Sequence, residues 1–232
     1  NVLLYEQIAC DQQPIATPTP TATTPPAATT TATLPATATA TPPATSTPTT
    51  PPPAGADGVY LLSSTTSGTV NGVKFADEDI LSFDTDSGQW SLYFDGSDVG
   101  LGGGDIDALH RLADGSLLLS LEAPITLAGL ATDDSDVLRF VPSSLGANTA
   151  GTFSLYFDGS DVGLTLNGED VNSLSWTAAG LLLSTNGNGT VTGATGRDED
   201  LLLFAPSSLG ETTAGAWSLY FDGSLMGLGQ DK

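Results

Sequence analysis

The heptapeptide Ser-Leu-Tyr-Phe-Asp-Gly-Ser stands three times in the chain, at residues 91–97, 154–160 and 218–224. Its Phe-Asp-Gly cores begin at Phe94, Phe157 and Phe221, so the copies are 63 and then 64 residues apart. A nearly constant period of this length is typical of a duplicated supersecondary unit. The sequence therefore predicts three structural repeats.

Short apolar blocks lie at matching distances from each heptapeptide, between clusters of Gly, Asp, Ser and Asn, which predicts an all-β fold. The blocks are 59–63, 79–83, 90–94 and 106–112 in the first repeat, 117–120, 136–140, 153–157 and 171–177 in the second, and 181–184, 200–204 and 217–221 in the third. Asp114-Gly115 and Ala179-Gly180 are expected to form tight hairpins between repeats. About eleven strands fit a propeller-like ring or a closed barrel, and the sequence does not choose between the two.

The count of strands is one short at the seam of such a ring, because the third repeat ends without a fourth strand. Residues 1–13 contain an alternating apolar pattern that predicts a β-strand similar in length to residues 105–113 and 170–178. The residues expected to be donated by this strand are Val2, Leu3, Leu4, Tyr5 and Ile8. Alignment of Ile8 with Leu112 places Leu4 on Ala108 and Tyr5 on Leu109.

Residues 14–55 consist almost entirely of Thr, Pro and Ala and divide the N-terminal strand from the β domain, residues 56–232. Such a segment cannot form a core, and polyproline geometry gives about 3.1 Å per residue, or roughly 120 Å in all. Dense hydroxyls among prolines are also typical of an O-glycosylated stalk. The expected attachment sites are Thr17, Thr19, Thr21, Thr23, Thr24, Thr29, Thr30, Thr31, Thr33, Thr37, Thr39, Thr41, Thr45, Ser46, Thr47, Thr49 and Thr50.

The length of this arm favours insertion of the strand into a neighbouring molecule, since closure within one molecule needs only a few residues. Repeated head-to-tail insertion produces an open filament unless the rotation closes. The alternative is a strand that folds back onto its own domain, which a flexible arm also permits.

The charge of the chain limits its partners. Twenty-seven acidic and five basic residues give a formal charge of −22, which repels nucleic acid and anionic lipid. The sequence has no apolar run long enough for a signal peptide or a membrane span, as in a processed form of an exported protein.

Carboxylates recur in the Gly-rich loops, where hard oxygen ligands favour calcium. The candidate ligands are Asp95, Asp98, Asp158 and Asp161. The alternative is structural, because an aspartate in Phe-Asp-Gly-Ser can cap a turn with its carboxylate. No cofactor is required by either interpretation.

Catalysis is not predicted. His110 is the sole histidine, and the sequence lacks the motifs of a serine nucleophile, a phosphate-binding loop or a zinc cluster. The chain is therefore not expected to be an enzyme.

The extended motif Tyr-Phe-Asp-Gly-Ser-Asp-Val-Gly-Leu, at residues 93–101 and 156–164 with a degenerate copy at 220–228, resembles that of bacterial extracellular repeat proteins. The resemblance implies a secreted or surface β-repeat module. The layout of strand, Thr/Pro arm and β domain is also similar to subunits of glycan-coated extracellular fibrils from environmental microbes. The resulting hypothesis is an extracellular fibril subunit whose partners are identical subunits and covalent glycans; the alternative is a monomeric stalked surface module that binds glycan or calcium.

Overall fold

The computed structural model describes the backbone of Val2–Tyr5 and residues 58–229. The described residues form β-strands and three short 3-10 turns and contain no α-helix, which confirms the all-β class. Ile8 and the Thr/Pro segment lie outside the described residues.

The strands follow the apolar blocks of the sequence. They are β1 (Val2–Tyr5), β2 (Val59–Ser64), β3 (Gly68–Val70), β4 (Val73–Phe75), β5 (Ile80–Asp84), β6 (Gln89–Phe94), β7 (Ile106–Arg111), β8 (Leu117–Leu121), β9 (Ile125–Leu127), β10 (Leu130–Thr132), β11 (Val137–Ser144), β12 (Ala150–Phe157), β13 (Val171–Thr177), β14 (Gly180–Thr185), β15 (Gly189–Val191), β16 (Ala194–Gly196), β17 (Leu201–Ser208) and β18 (Ala214–Phe221). The 3-10 turns are Ser97–Val99, Ser160–Val162 and Gly223–Met226.

Three antiparallel sheets of four strands share one arrangement. Their strand orders are β1-β2-β5-β6 in the first sheet, β7-β8-β11-β12 in the second and β13-β14-β17-β18 in the third. Within the described residues the strands thus form separate sheets, each with two edges, so the closed-barrel alternative is wrong. The predicted hairpins that lead from β7 to β8 and from β13 to β14 are confirmed.

A small hairpin interrupts each sheet between its second and third strands, and the sequence reading missed all three. These hairpins are β3-β4, β9-β10 and β15-β16. Asn71 and Gly72 form the first of these turns with φ of 47° and 85°, and Asn-Gly is a strong hairpin signal. The three-residue strands beside it are too short to show a periodic pattern of their own.

The core lies between the sheets and is divided in two. One cluster joins the first and second sheets, and in it the rings of Phe94 and Phe140 meet edge to face at 5.1 Å. The other cluster joins the second and third sheets, with Phe157 and Phe204 in the same arrangement at 5.2 Å. Because neighbouring residues of a strand face opposite ways, the second sheet supplies one face to each cluster.

The edge strand of the first sheet comes from the distant N-terminal segment. β1 is antiparallel to β2, with Leu4 opposite Leu62. The equivalent position in the second sheet is Leu109, opposite Leu119. The expected alignment, with Leu4 on Ala108 and Tyr5 on Leu109, is therefore wrong by one residue.

Candidate functional site

The first candidate site is the edge of β2, where the N-terminal strand pairs. Val2, Leu3, Leu4 and Tyr5 lie opposite Ser64, Ser63, Leu62 and Leu61 in turn. Ile8, the fifth predicted donor residue, lies outside the described residues. Backbone amides and carbonyls along such an edge bind any extended strand of suitable register, so this edge can accept a strand from its own chain or from another.

The second candidate site comprises the Phe-Asp-Gly loops, which we define as residues 94–101, 157–164 and 221–228. The first two loops each hold the sheet that follows them. The backbone amide of Thr149 donates to Asp98 Oδ2 at 2.9 Å, and the amide of Asp95 donates to Thr149 Oγ1 at 2.9 Å. This pair of bonds, the clasp, joins the first sheet to the second.

The same clasp joins the second sheet to the third. The amide of Thr213 donates to Asp161 Oδ2 at 2.9 Å, and the amide of Asp158 donates to Thr213 Oγ1 at 2.9 Å. Asp98 and Asp161 thus hold neighbouring sheets together, a role that the sequence did not reveal because the bonded residues are 51 and 52 positions apart.

The four predicted calcium ligands are divided between two loops. Asp95 and Asp158 each accept a hydrogen bond from the serine hydroxyl two residues later, at 2.7 Å, as an aspartate that caps a turn does. Within residues 58–229, no three acidic or histidine side chains form a group suited to a metal ion. These contacts favour the structural interpretation of the loop aspartates.

The Gly of each Phe-Asp-Gly loop is held by a buried aspartate at the start of the third strand of its sheet. In the second sheet, Asp136 Oδ1 accepts from the Gly159 amide at 3.0 Å, and its Oδ2 accepts from the Asp133 amide at 3.0 Å. Burial raises the pKa of Asp136 to about 6 despite these bonds. Asp79 and Asp200 make the equivalent pairs of bonds in the first and third sheets.

A buried pair of carboxyl groups lies at a cavity of about 180 Å³ lined by residues of all three sheets. Asp107 and Asp170 are only 8% and 5% exposed, and both oxygens of Asp107 lack a hydrogen-bond partner among the described residues. Burial, with the charge of Asp170, raises the pKa of Asp107 to about 9, and burial raises that of Asp170 to about 6. The pair therefore holds a proton at neutral pH.

The sole histidine is neutral at pH 7. Burial lowers the pKa of His110 to about 4. Its backbone lies opposite Leu118, the position that Ser175 occupies in the third sheet and Tyr5 in the first. The prediction that the chain is not an enzyme stays a prediction.

Comparison with protein families, with curated proteins and with solved structures finds no match to the chain. The described residues include no helix that is long and apolar enough to cross a membrane.

Proposed function

We propose that the chain is the structural subunit of an extracellular, glycosylated fibril, in which each subunit inserts its N-terminal strand into the first sheet of a neighbour. The proposal includes a propeller-like relation between the three sheets, calcium as an optional ligand of the loops, and sugars on the Thr/Pro arm.

The observation that carries the proposal is the source of the edge strand in the first sheet. β8 and β14 receive their edge partners, β7 and β13, through tight hairpins. β2 instead pairs with β1, which is separated from it in the sequence by residues 6–58, and these include the whole Thr/Pro segment. A strand on so long a tether can exchange between identical molecules without any new contact, which is the logic of domain swapping.

The sheet arrangement supports exchange, because among the three four-stranded sheets the first alone takes its edge strand from a distant part of the sequence. Without β1, the backbone groups of β2 that face it would remain unpaired along an apolar edge, which favours association with another chain. Insertion of the N-terminal strand of a second copy restores the same pairs. The first sheet of that second copy then accepts the N-terminal strand of a third copy. The contact is head-to-tail and extends without limit unless the rotation closes.

Disulfide trapping tests the proposal. Opposed residues in an antiparallel pair have Cα atoms about 4.5–5.5 Å apart, within the range that a disulfide spans. The double variant V2C/S64C, with Cys10 replaced by Ser, is expected to give a ladder of covalent multimers when the assembled protein is oxidised. Negative-stain images of the same sample are expected to show fibrils.

The matched control is V2C/T185C, because Thr185 holds the equivalent position in the third sheet and is already paired with Val171. This control is expected to form no ladder. A V2C/S64C sample that contains only internally linked monomers and no fibrils would contradict the proposal and favour the monomeric stalked module.

A further inference from the structure

The outward face of the third sheet carries apolar side chains that the other two sheets keep covered. Leu228 is 43% exposed, whereas Leu101 and Leu164, at the same place in their loops, are fully buried. Tyr220 is 64% exposed, and its counterpart Tyr156 is half-buried against the next sheet. The face lacks a cover because no further sheet follows within the described residues.

The substitutions in the third Phe-Asp-Gly loop make this face more apolar. Leu225 replaces the clasp aspartate, and Met226 replaces a valine. They are 78% and 70% exposed. Sheets that act as caps carry a polar outer face, so the third sheet does not have the surface of a cap.

The first sheet has the complementary face. Phe83 occupies the place of Phe140 and Phe204, which are fully buried, yet it is only half-buried. It stacks on Trp90 at 4.8 Å, the distance that also separates Phe204 from Trp217. The first sheet therefore has the aromatic pair of a covered sheet only half-buried, although Leu62 and Leu81 on the same face are each 6% exposed, and no further sheet within residues 58–229 packs on this pair.

A hydrogen-bond donor and an aromatic ring on the face of the first sheet have complementary groups on the face of the third sheet. Trp217 Nε1 donates to the carbonyl oxygen of Val162 at 3.0 Å, whereas the indole N–H of Trp90 makes no hydrogen bond to residues 58–229. Phe157 meets Phe204 edge to face, whereas no ring contact joins Phe221 to another described residue. Met226 stands where Val162 does, so a second copy offers Trp90 a carbonyl and Phe83 the edge of Phe221.

Each of the two faces also lacks a residue of the clasp. The third loop has Leu225 in place of aspartate. The first sheet lacks the ribbon that bears the receiving threonine, since Phe83 and Trp90 are 7 residues apart, whereas Phe204 and Trp217 are 13 apart. A contact between these faces therefore forms without the bond between a loop carboxylate and a threonine amide.

We propose that the third sheet of one copy packs on the first sheet of the next and repeats the contact that joins the sheets within the chain. The inference rests on the proposed self-assembly and names its main surface. One neighbour can then receive both contacts, since strand insertion and face packing both use its first sheet. The occupant is a second copy because the internal contact already shows which face fits which.

The test uses two variants of the full chain, M226D on the third face and W90E on the first. Each is expected to lower the association constant at least tenfold in sedimentation, and M226D, whose side chain is 70% exposed, is expected to leave urea unfolding of the monomer unchanged. An equimolar mixture of the two variants is expected to give dimers that do not grow, because the unaltered third sheet of W90E can still pack on the unaltered first sheet of M226D. W90F is the control that keeps a ring, as Phe153 does in the second sheet, and it is expected to assemble.

The outcomes separate this inference from strand insertion. If V2C/S64C forms its disulfide ladder equally well with and without M226D, the face contact is refuted and the strand mechanism stands. If the ladder never forms but M226D and W90E still abolish association, the face contact stands and the strand mechanism is refuted. A wild-type chain that remains monomeric at all concentrations, as when its own Thr/Pro arm covers the face, refutes the face contact.

Discussion

Asp161 Oδ2 accepts a hydrogen bond from the backbone amide of Thr213 at 2.9 Å, across the boundary between the second and third sheets. Thr213 is only 4% exposed, so loss of the carboxylate leaves its amide without a partner. We expect D161A to lower the free energy of unfolding by about 1 kcal/mol, the usual worth of such a bond. Urea denaturation measures the change.

The control for this variant is E211A, which removes the same charge from an exposed side chain in the receiving loop. It is expected to change stability by less than about 0.5 kcal/mol. Equal effects of D161A and E211A would show that the clasp contributes nothing beyond charge. A wild-type Tm that calcium raises, together with a D161A Tm that calcium leaves unchanged, would instead indicate that this loop binds the cation.

The strands were predictable because each apolar block is bounded by Gly, Asp or Asn, and those boundaries coincide with turns. The register of β1 was not predictable from the sequence. β7 and β13 each contain a bulge, after Ile106 and after Val171, that absorbs one residue. Matching by length therefore misplaces β1 by one position, and a slip of one residue exchanges the two faces of a strand.

The role of the loop aspartates was also not predictable from the sequence. The sequence singled out Asp98 and Asp161 as candidate calcium ligands, but residue type alone does not distinguish an oxygen that binds calcium from one that accepts a distant amide. The apolar end of the array was visible in the sequence as Leu225 and Met226. Its meaning required the structure, which shows that Val99 and Val162, at the position of Met226, are partly buried against the clusters between the sheets.

The glycine of the Phe-Asp-Gly loop is required by close packing of two backbones. A Cβ at Gly159 would overlap the hydroxyl and carbonyl oxygens of Ser135. We expect G159A to lower the free energy of unfolding by about 1–3 kcal/mol, as overpacking does. Urea denaturation of G168A provides the contrast, since a Cβ there comes no closer than 3.9 Å, to Gly187 Cα. A neutral G159A would show that the loop relaxes freely.

The buried carboxyl pair predicts a decline of stability as pH rises. The pKa of Asp107 is 3.8 without perturbation and about 9 in the fold, so the folded protein binds an extra proton between these values. Linkage then lowers the free energy of unfolding progressively from pH 4 to pH 9. Asp170 faces this group and shares the effect because burial raises its pKa to about 6, and the charge of Glu122 adds to the rise in the pKa of Asp107.

D107N removes the titrating group and keeps its shape, so its stability is expected to depend less on pH and to match or exceed that of the wild type at pH 8. Thermal unfolding at intervals across this range measures the difference. D86N alters the net charge equally at an exposed position and is expected to follow the wild-type curve. Parallel curves for D107N and the wild type would contradict the assignment.

The three Phe-Asp-Gly phenylalanines are identical in sequence but differ in burial. Phe157 is fully buried and contacts both Phe204 and Trp217, whereas Phe221 is half-buried. We expect F157A to lower the free energy of unfolding by about 3–5 kcal/mol, because it leaves a cavity between two sheets. F221A is expected to cost the monomer less than half as much, because solvent already reaches that ring. Guanidinium denaturation at a concentration below self-association compares the two, and equal losses would show that the third sheet is covered within its own chain.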